Sequence, residues 1–182
     1  MHLLLHDGPT AADAPGPRTG GLPLVPAGFT WPHCDECGSP LKFIAHLPLD
    51  HGTAAVFLCD FDPGACSGWD ADGGANRAYL FPPGTPLLPA PAPDDSDAPT
   101  LLPTATALHP ATTPDGRPGV GRLGGTPDWI QDPETPTCPG CATPMAFAAE
   151  LEDDTDLNFG DSGRGYLFTC RPCTRAAFLW QC

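Results

Sequence analysis

Nine cysteines are the residues of this sequence best suited to chemistry. Eight of them fall into two groups of four: Cys34, Cys37, Cys59 and Cys66, and then Cys138, Cys141, Cys170 and Cys173. Within these groups, three pairs of cysteines have the spacing Cys-x-x-Cys: 34 and 37, 138 and 141, and 170 and 173. In a chain without a secretory signal, this spacing indicates metal ligands rather than disulfides. Because four thiolates complete a tetrahedral coordination shell, the sequence predicts two metal ions, one in each group, and zinc is the expected metal.

The cysteine spacing indicates a metal site more strongly in the second group than in the first. In the second, Cys-Pro-Gly-Cys and Cys-Arg-Pro-Cys are separated by 28 residues, whereas in the first the spacing between Cys59 and Cys66 is wide. His33, His46 or His51 could replace one thiolate there, and Cys59 and Cys66 could instead be small buried apolar residues. Iron is the alternative metal, because four-thiolate geometry suits both zinc and iron.

Zinc held by four thiolates has no free position for water or substrate, so such sites are structural rather than catalytic. The sequence also lacks a Gly-x-Ser-x-Gly motif, a phosphate-binding glycine loop with lysine, and a His-Glu-x-x-His motif. Cys182 remains as a ninth thiol, without an obvious activating neighbour. We therefore expect a protein that is not an enzyme, with a mononuclear iron-thiolate redox protein or an uncharacterised enzyme as the alternative.

The net charge of the chain limits the classes of molecule that it is expected to bind. Acidic residues outnumber basic ones by 22 to 8, which gives a net charge of −14, and the seven arginines are scattered. Nucleic-acid binding depends on clustered basic residues, so no nucleic-acid partner is expected. No apolar run is long enough to span a membrane, and the N-terminal residues do not resemble a secretory signal, so no membrane partner and a cytoplasmic location are expected. The acidic run from Glu150 to Asp161 fits no EF-hand spacing and is interpreted as a solvated connecting loop.

An internal repeat becomes visible when the chain is shifted by 104 positions. Arg18 then falls on Arg122, and the Gly-Gly-x-Pro motif at Gly20 falls on the one at Gly124. The first Cys-x-x-Cys pair falls on Cys138 and Cys141, without a gap. Ordered matches of cysteine and phenylalanine at a single offset indicate a duplication.

Each copy has the same predicted layout around its cysteines. A strand follows the first Cys-x-x-Cys pair, and four apolar residues alternate along it so that they share one face: Leu41, Phe43, Ala45 and Leu47, repeated as Met145, Phe147, Ala149 and Leu151. A return strand then carries the third ligand, over residues 54–60 in the first copy and 165–170 in the second. The predicted fold is mainly β, with α+β as the alternative, and contains two zinc-ribbon-like modules in a pseudo-twofold arrangement.

Proline marks the boundary between the copies. Residues 82–118 contain 11 prolines in 37 positions, and residues 89–97 form an acidic stretch of low complexity. This composition is typical of a mobile linker or loop. The predicted organisation is therefore a first repeat over 1–81, a linker over 82–118 and a second repeat over 119–182.

Several motifs resemble known families. The first copy contributes Gly20-Gly21-x-Pro23 and Trp31-Pro32, and the second contributes the segments 123–131 and 159–166 around Cys138-Pro-Gly-Cys141. Together they resemble the YwqG-like bacterial domain, a family of unknown function, and this resemblance supports the fold and the metal. Bacterial members commonly have Gln in the strand after the first Cys-x-x-Cys pair, where this chain has His46 and Glu150.

The pattern of Gly-Gly-x-Pro, Cys-x-x-Cys and a later aromatic-x-Cys is also similar to the eukaryotic programmed cell death protein 2 family. Members of that family act as dedicated chaperones of a basic ribosomal protein. This similarity, the closed metal sites and the acidity together predict a non-enzymatic protein-binding module, a chaperone or adaptor for a basic protein partner.

Overall fold

The computed structural model describes residues 1–61, 64–93, 99–154 and 156–182. Within these ranges the chain contains strands and no helix, which confirms the mainly β prediction. The strands, in chain order, are β1 (His2–Pro9), β2 (Arg18–Thr19), β3 (Leu24–Val25), β4 (Lys42–Leu49), β5 (Gly52–Leu58), β6 (Asn76–Phe81), β7 (Leu88–Pro89), β8 (Thr106–Ala111), β9 (Gly119–Leu123), β10 (Ala146–Glu152), β11 (Arg164–Cys170) and β12 (Arg175–Gln181). The described residues include no helix long and apolar enough to cross a membrane.

Ten of the strands form one sheet, in the order β12-β11-β10-β9-β1-β8-β2-β4-β5-β6, and β3 pairs with β7 separately. All neighbours in the large sheet are antiparallel. The order reads equivalently from both ends: β9 to β12 extend to one side of the central pair, and β2, β4, β5 and β6 extend to the other. The structure therefore confirms the duplicated, pseudo-twofold arrangement.

The two central strands are exchanged between the copies. The offset of 104 places His2, the first residue of β1, on Thr106, the first residue of β8. Yet β1 pairs with β9 of the second copy, and β8 pairs with β2 of the first. Each copy therefore completes its sheet with the first strand of the other copy.

This exchange corrects the predicted linker. Residues 82–118 contain β7 and β8, and Leu102 and Leu108 are buried in the core. Pro110 is compatible with β8 because β2 covers only residues 106 and 107, so this proline has a strand partner on one side alone. The acidic low-complexity stretch is described only in part, since residues 94–98 lie outside the described residues.

The first strand after each Cys-x-x-Cys pair contains a β-bulge, which corrects the prediction of a single apolar face. In β4 the register shifts between Phe43 and Ala45, and in β10 it shifts between Phe147 and Ala149. Because one additional residue reverses the alternation of side chains, residues before and after the bulge face different layers. Phe43 packs in an outer cluster, whereas Ala45 packs in the centre.

Three hydrophobic clusters form the core. The central one is shared by both copies and includes Leu4, Val56, Leu108, Leu167 and Phe178. A first outer cluster surrounds the first cysteine group, and a second outer cluster surrounds the second. The shared central cluster means that the two copies pack as one folded unit.

The two end strands of the ten-stranded sheet lie near each other. β6 and β12 are close along their length, although no β-ladder joins them among the described residues. We call this region the seam. Across it the rings of Trp69 and Trp180 meet edge to face, with centroids 6.1 Å apart.

Candidate metal centres

The first cysteine group is assembled from three turns around the hairpin of β4 and β5. Cys34 and Cys37 precede β4, Cys59 directly follows β5, and Cys66 lies in the connection to β6. Their four Sγ atoms all lie within 4.8 Å of one another, and those of Cys37 and Cys59 are 3.6 Å apart. We call these four residues group 1.

The second group has the same construction in a more compact form. Cys138 and Cys141 precede β10, Cys170 is the last residue of β11, and Cys173 lies in the turn to β12. Again the four Sγ atoms lie within 4.8 Å of one another, and those of Cys141 and Cys170 are 3.6 Å apart. We call these residues group 2.

The sulfur positions fit tetrahedral metal coordination. Zinc bound to four thiolates at about 2.3 Å places neighbouring sulfurs about 3.8 Å apart, close to the 3.6 Å between Cys37 and Cys59 and between Cys141 and Cys170. A disulfide would instead need a separation of about 2.05 Å, and all nine cysteines are free. Each group could therefore hold one metal ion, and four thiolates would leave that ion without an open position.

The turn that presents the first two ligands of group 1 is fixed by its backbone. The carbonyl of Cys34 accepts the N–H of Gly38 at 2.9 Å, and the N–H of Cys34 donates to the carbonyl of Ser39 at 2.8 Å. Gly38 has a φ of 77°, in the left-handed region that glycine adopts at low cost. This compact turn directs both thiols of the pair toward one point.

The equivalent turn in group 2 repeats these hydrogen bonds. Cys138 accepts the N–H of Ala142 and donates to the carbonyl of Thr143, both at 2.8 Å. Here Ala142 occupies the left-handed position, with a φ of 56°, at a backbone cost that glycine avoids. The N–H of Gly140 also points to the Cys138 sulfur at 3.4 Å, which would stabilise negative charge on that thiolate.

One thiol in each group ionises more readily than a free cysteine. Hydrogen bonds from the hydroxyl and backbone N–H of Thr143 lower the pKa of Cys141 to about 6. Burial opposes ionisation of Cys37, but hydrogen bonds from Ser39 outweigh it and lower the pKa to about 7. Burial raises the pKa of Cys66 to about 11, and the hydrogen bond to Cys141 raises that of Cys173 to about 12. Metal binding must therefore displace protons from the remaining thiols.

The structure brings together all eight cysteines that the sequence proposed as ligands, in the two proposed groups. The three histidines considered as replacements lie in other hydrogen bonds. His33 is 3.1 Å from the carbonyl of Trp31, His51 is 3.1 Å from the hydroxyl of Thr169, and His46 accepts the backbone N–H of Leu24. Cys182 is exposed and belongs to neither group.

The negative charge of group 2 has a cation close to it. A Cβ built on Gly140 would lie 3.1 Å from the Cys173 sulfur and 3.2 Å from Nε of Arg175, so both side chains border the same small space. The arginine is therefore placed to offset the charge that four thiolates would give a bound divalent ion.

The sequence did not indicate the role of two equivalent arginines. Arg18 is buried and donates to the carbonyls of Ala14, Gly20 and Leu22. Burial lowers its pKa to about 10, so it remains charged at neutral pH. In the second copy Arg122 donates to the carbonyl of Thr126, which is the position equivalent to Leu22. Both arginines thus hold the loop that begins with the Gly-Gly motif.

His46 and Glu150 occupy equivalent positions in the two copies, and each accepts a hydrogen bond from a backbone N–H. Nε2 of His46 accepts the N–H of Leu24 at 2.6 Å, and Oε2 of Glu150 accepts the N–H of Asp128 at 3.0 Å. The two N–H donors are themselves 104 residues apart. Both residues therefore supply an acceptor to equivalent backbone N–H groups. Glu150 also pairs with Arg122 at 3.0 Å, so its buried charge is compensated.

The acidic run of the second copy organises its own loop. The carboxylate of Asp153 accepts the N–H groups of Phe159 and Gly163, and Oδ1 of Asp154 accepts that of Leu157. Asp154 also lies 3.2 Å from His6 of β1. These contacts fit a connecting loop for the described residues after β10. For the start of the run the predicted solvated loop is wrong, because Glu150 and Glu152 belong to β10 and Glu150 is buried.

Comparison with known proteins gives one informative similarity. No protein-family model matches the chain. A segment of 62 residues, 33% of the chain, is 42% identical to the uncharacterised protein YpfL of Salmonella typhimurium strain LT2. The match covers 14% of that relative's length. The similarity is consistent with an uncharacterised bacterial family, and the resemblances to the YwqG-like domain and to programmed cell death protein 2 stay predictions.

Proposed function

We propose that this protein is a non-enzymatic protein-binding module stabilised by two zinc ions, with a chaperone or adaptor role toward a basic protein. The observation that carries the proposal is the pair of four-thiolate groups. Four cysteine ligands saturate a tetrahedral ion, which suits a structural site and leaves no position for a substrate. In a chain with 26 prolines and 21 glycines, such ions would hold together the ends of strands.

Charge supports the choice of a basic partner. The chain carries −14, and each zinc ion held by four thiolates would add a unit of about −2 in place of neutral thiols. An acidic surface attracts a basic protein over distances comparable with the Debye length and disfavours nucleic acid. The resemblance to a chaperone family whose client is basic points in the same direction.

Two measurements test this proposal. Elemental analysis of the purified protein is expected to give two zinc ions per chain. Affinity purification of the tagged protein from its native cells, followed by mass spectrometry, is expected to enrich a basic protein, and a variant with Cys138 and Cys141 both replaced by serine serves as the control. Repeated purification without any basic partner, from protein of verified metal content, would refute the proposal.

A mononuclear iron-thiolate redox protein is the second candidate. Its support is the cysteine-only donor set of group 2, where both ligand pairs lie on short turns, because four thiolates suit iron as well as zinc. Iron would colour the purified protein and zinc would not. Visible absorbance with one or two iron ions per chain would select this candidate over the first.

A further inference from the structure

A cleft of about 520 Å³ opens at the seam, directly beside group 1. Its wall in the first copy includes the ligands Cys59 and Cys66, and its wall in the second copy includes Asp161 and Trp180. The cleft therefore exists only because the two copies are packed together. None of the wall residues that the structure describes is lysine, arginine or histidine.

The cleft lacks the cation that group 2 has. Beside group 2, Arg175 borders the same space as Cys173. At the group 1 cleft, Asp60 is already paired with Lys42, which lies outside the wall. Asp161 is exposed and forms no ion pair with any described residue. A metal ion on four thiolates would add further negative charge at this place.

The cleft also presents an aromatic surface. Trp180 lines it and packs edge to face with Trp69, a residue that is 43% exposed. Tryptophan is the aromatic residue that binds cations most strongly, and guanidinium stacks on its face while pairing with a carboxylate. A carboxylate, an indole and an anionic metal-thiolate unit together match a cationic side chain, and the planar guanidinium of arginine fits them best.

We propose that this cleft binds an arginine side chain of a basic segment in the partner protein. The proposal rests on the proposed function, because it names the place where a basic partner would be held. Charge complementarity selects the occupant: the wall is anionic and aromatic, and the whole chain carries −14. Arginine is preferred to lysine because its planar group can contact the indole and the carboxylate at once.

The test uses the metal-loaded full chain and a labelled twelve-residue peptide in which Gly-Ser-Arg is repeated four times. Binding is measured by fluorescence anisotropy at about 0.1 M salt, where charges more than about 10 Å apart are largely screened. Asp161→Lys removes the cleft carboxylate that forms no ion pair with any described residue, and leaves Asp60 in place. Asp50→Lys is the matched control, because Asp50 is exposed and lies before β5, at the opposite end of that strand from Cys59.

Both variants change the net charge equally, so they separate the cleft from general attraction. Asp161→Lys is expected to weaken peptide binding about tenfold, and Asp50→Lys to change it less than about twofold. The corresponding lysine peptide is expected to bind the unmodified protein more weakly than the arginine peptide. Zinc content and melting temperature verify that each variant is folded, and Asp161→Asn provides a milder substitution with the same expected direction.

The outcomes distinguish the two proposals. Equal weakening by Asp161→Lys and Asp50→Lys overturns the cleft and leaves binding of basic partners standing. If no arginine peptide binds although a basic protein is captured from cells, the cleft again fails alone. If neither the peptide nor a basic protein binds, both proposals fail.

Discussion

Replacing His46 by glutamine is expected to remove a specific part of the pH dependence of folding. The folded protein buries this imidazole beside Arg18, and burial followed by that charge lowers the pKa of His46 to about 3. In the unfolded chain the pKa is about 6.5, so the unfolded state takes up the proton first as the pH falls. The stability from neutral His46 is therefore present above pH 6.5 and is lost progressively below it.

The magnitude follows from these two pKa values. Between pH 7 and pH 5.5, protonation of His46 in the unfolded chain alone lowers the free energy of unfolding by about 1.3 kcal/mol. Glutamine at position 46 keeps an acceptor for the N–H of Leu24, as Glu150 does for Asp128, and it does not titrate. The variant should therefore remain folded at pH 7 and lose about 1.3 kcal/mol less than the wild type on acidification.

Urea unfolding at both pH values, at a fixed concentration of free zinc, measures this difference. Acid effects on the metal groups are common to both proteins and cancel in the comparison. His109→Gln is the control for the substitution itself, because His109 is exposed on β8 and lies outside the buried contact of His46 with Leu24. The reasoning is refuted if His46→Gln and the wild type lose the same stability between pH 7 and pH 5.5.

Three further predictions follow from the fold and the metal groups. Removal of the metal, verified by elemental analysis, should lower the melting temperature by at least about 10 °C, since metal binding contributes to folding, and unchanged melting in calorimetry would contradict this. Leu108→Ala should lower the free energy of unfolding, measured with urea, by about 2–5 kcal/mol, because Leu108 is buried. Leu88→Ala is the control and should change it by less than about 0.5 kcal/mol, because Leu88 is 58% exposed. Equal effects would mean that β8 is not part of the core. Positions 142 and 38 both have a left-handed backbone conformation, which glycine adopts at lower cost than alanine. Ala142→Gly should therefore stabilise the folded protein by up to about 1 kcal/mol, and Gly38→Ala should destabilise it by about 1 kcal/mol. Opposite signs in thermal unfolding would refute the turn geometry.

The sequence was informative wherever local spacing determines structure. The Cys-x-x-Cys pairs, the repeat at an offset of 104 and the return strand before Cys170 each depend on a few neighbouring residues, and the structure places the corresponding thiols together. The alternation around Phe43 was interpreted as one face, because a β-bulge leaves no signature in single-sequence periodicity.

Features that depend on pairing between distant parts of the chain could not be predicted from local sequence patterns. β8 was assigned to a linker because the prolines of residues 82–118 suggested a loop, whereas pairing with its neighbours, β1 and β2, makes it a strand. The equivalent roles of His46 and Glu150 were also hidden, because their chemistry differs and only the shared N–H acceptor makes them alike. The cleft arises from contact between Trp180 and a connection more than a hundred residues earlier, which no local pattern encodes.

The exchange of β1 and β8 has a consequence for the history of this molecule. A single ancestral copy, folded as either copy is now, would have had an unsatisfied strand edge beside the position of β2 or β9. Two such chains could pair both strand edges by exchanging their amino-terminal strands, as in a domain-swapped homodimer. Joining two such genes would keep the exchanged strands within one polypeptide, whose two halves now differ in the connection that carries the fourth cysteine: it is long at Cys66 and short at Cys173.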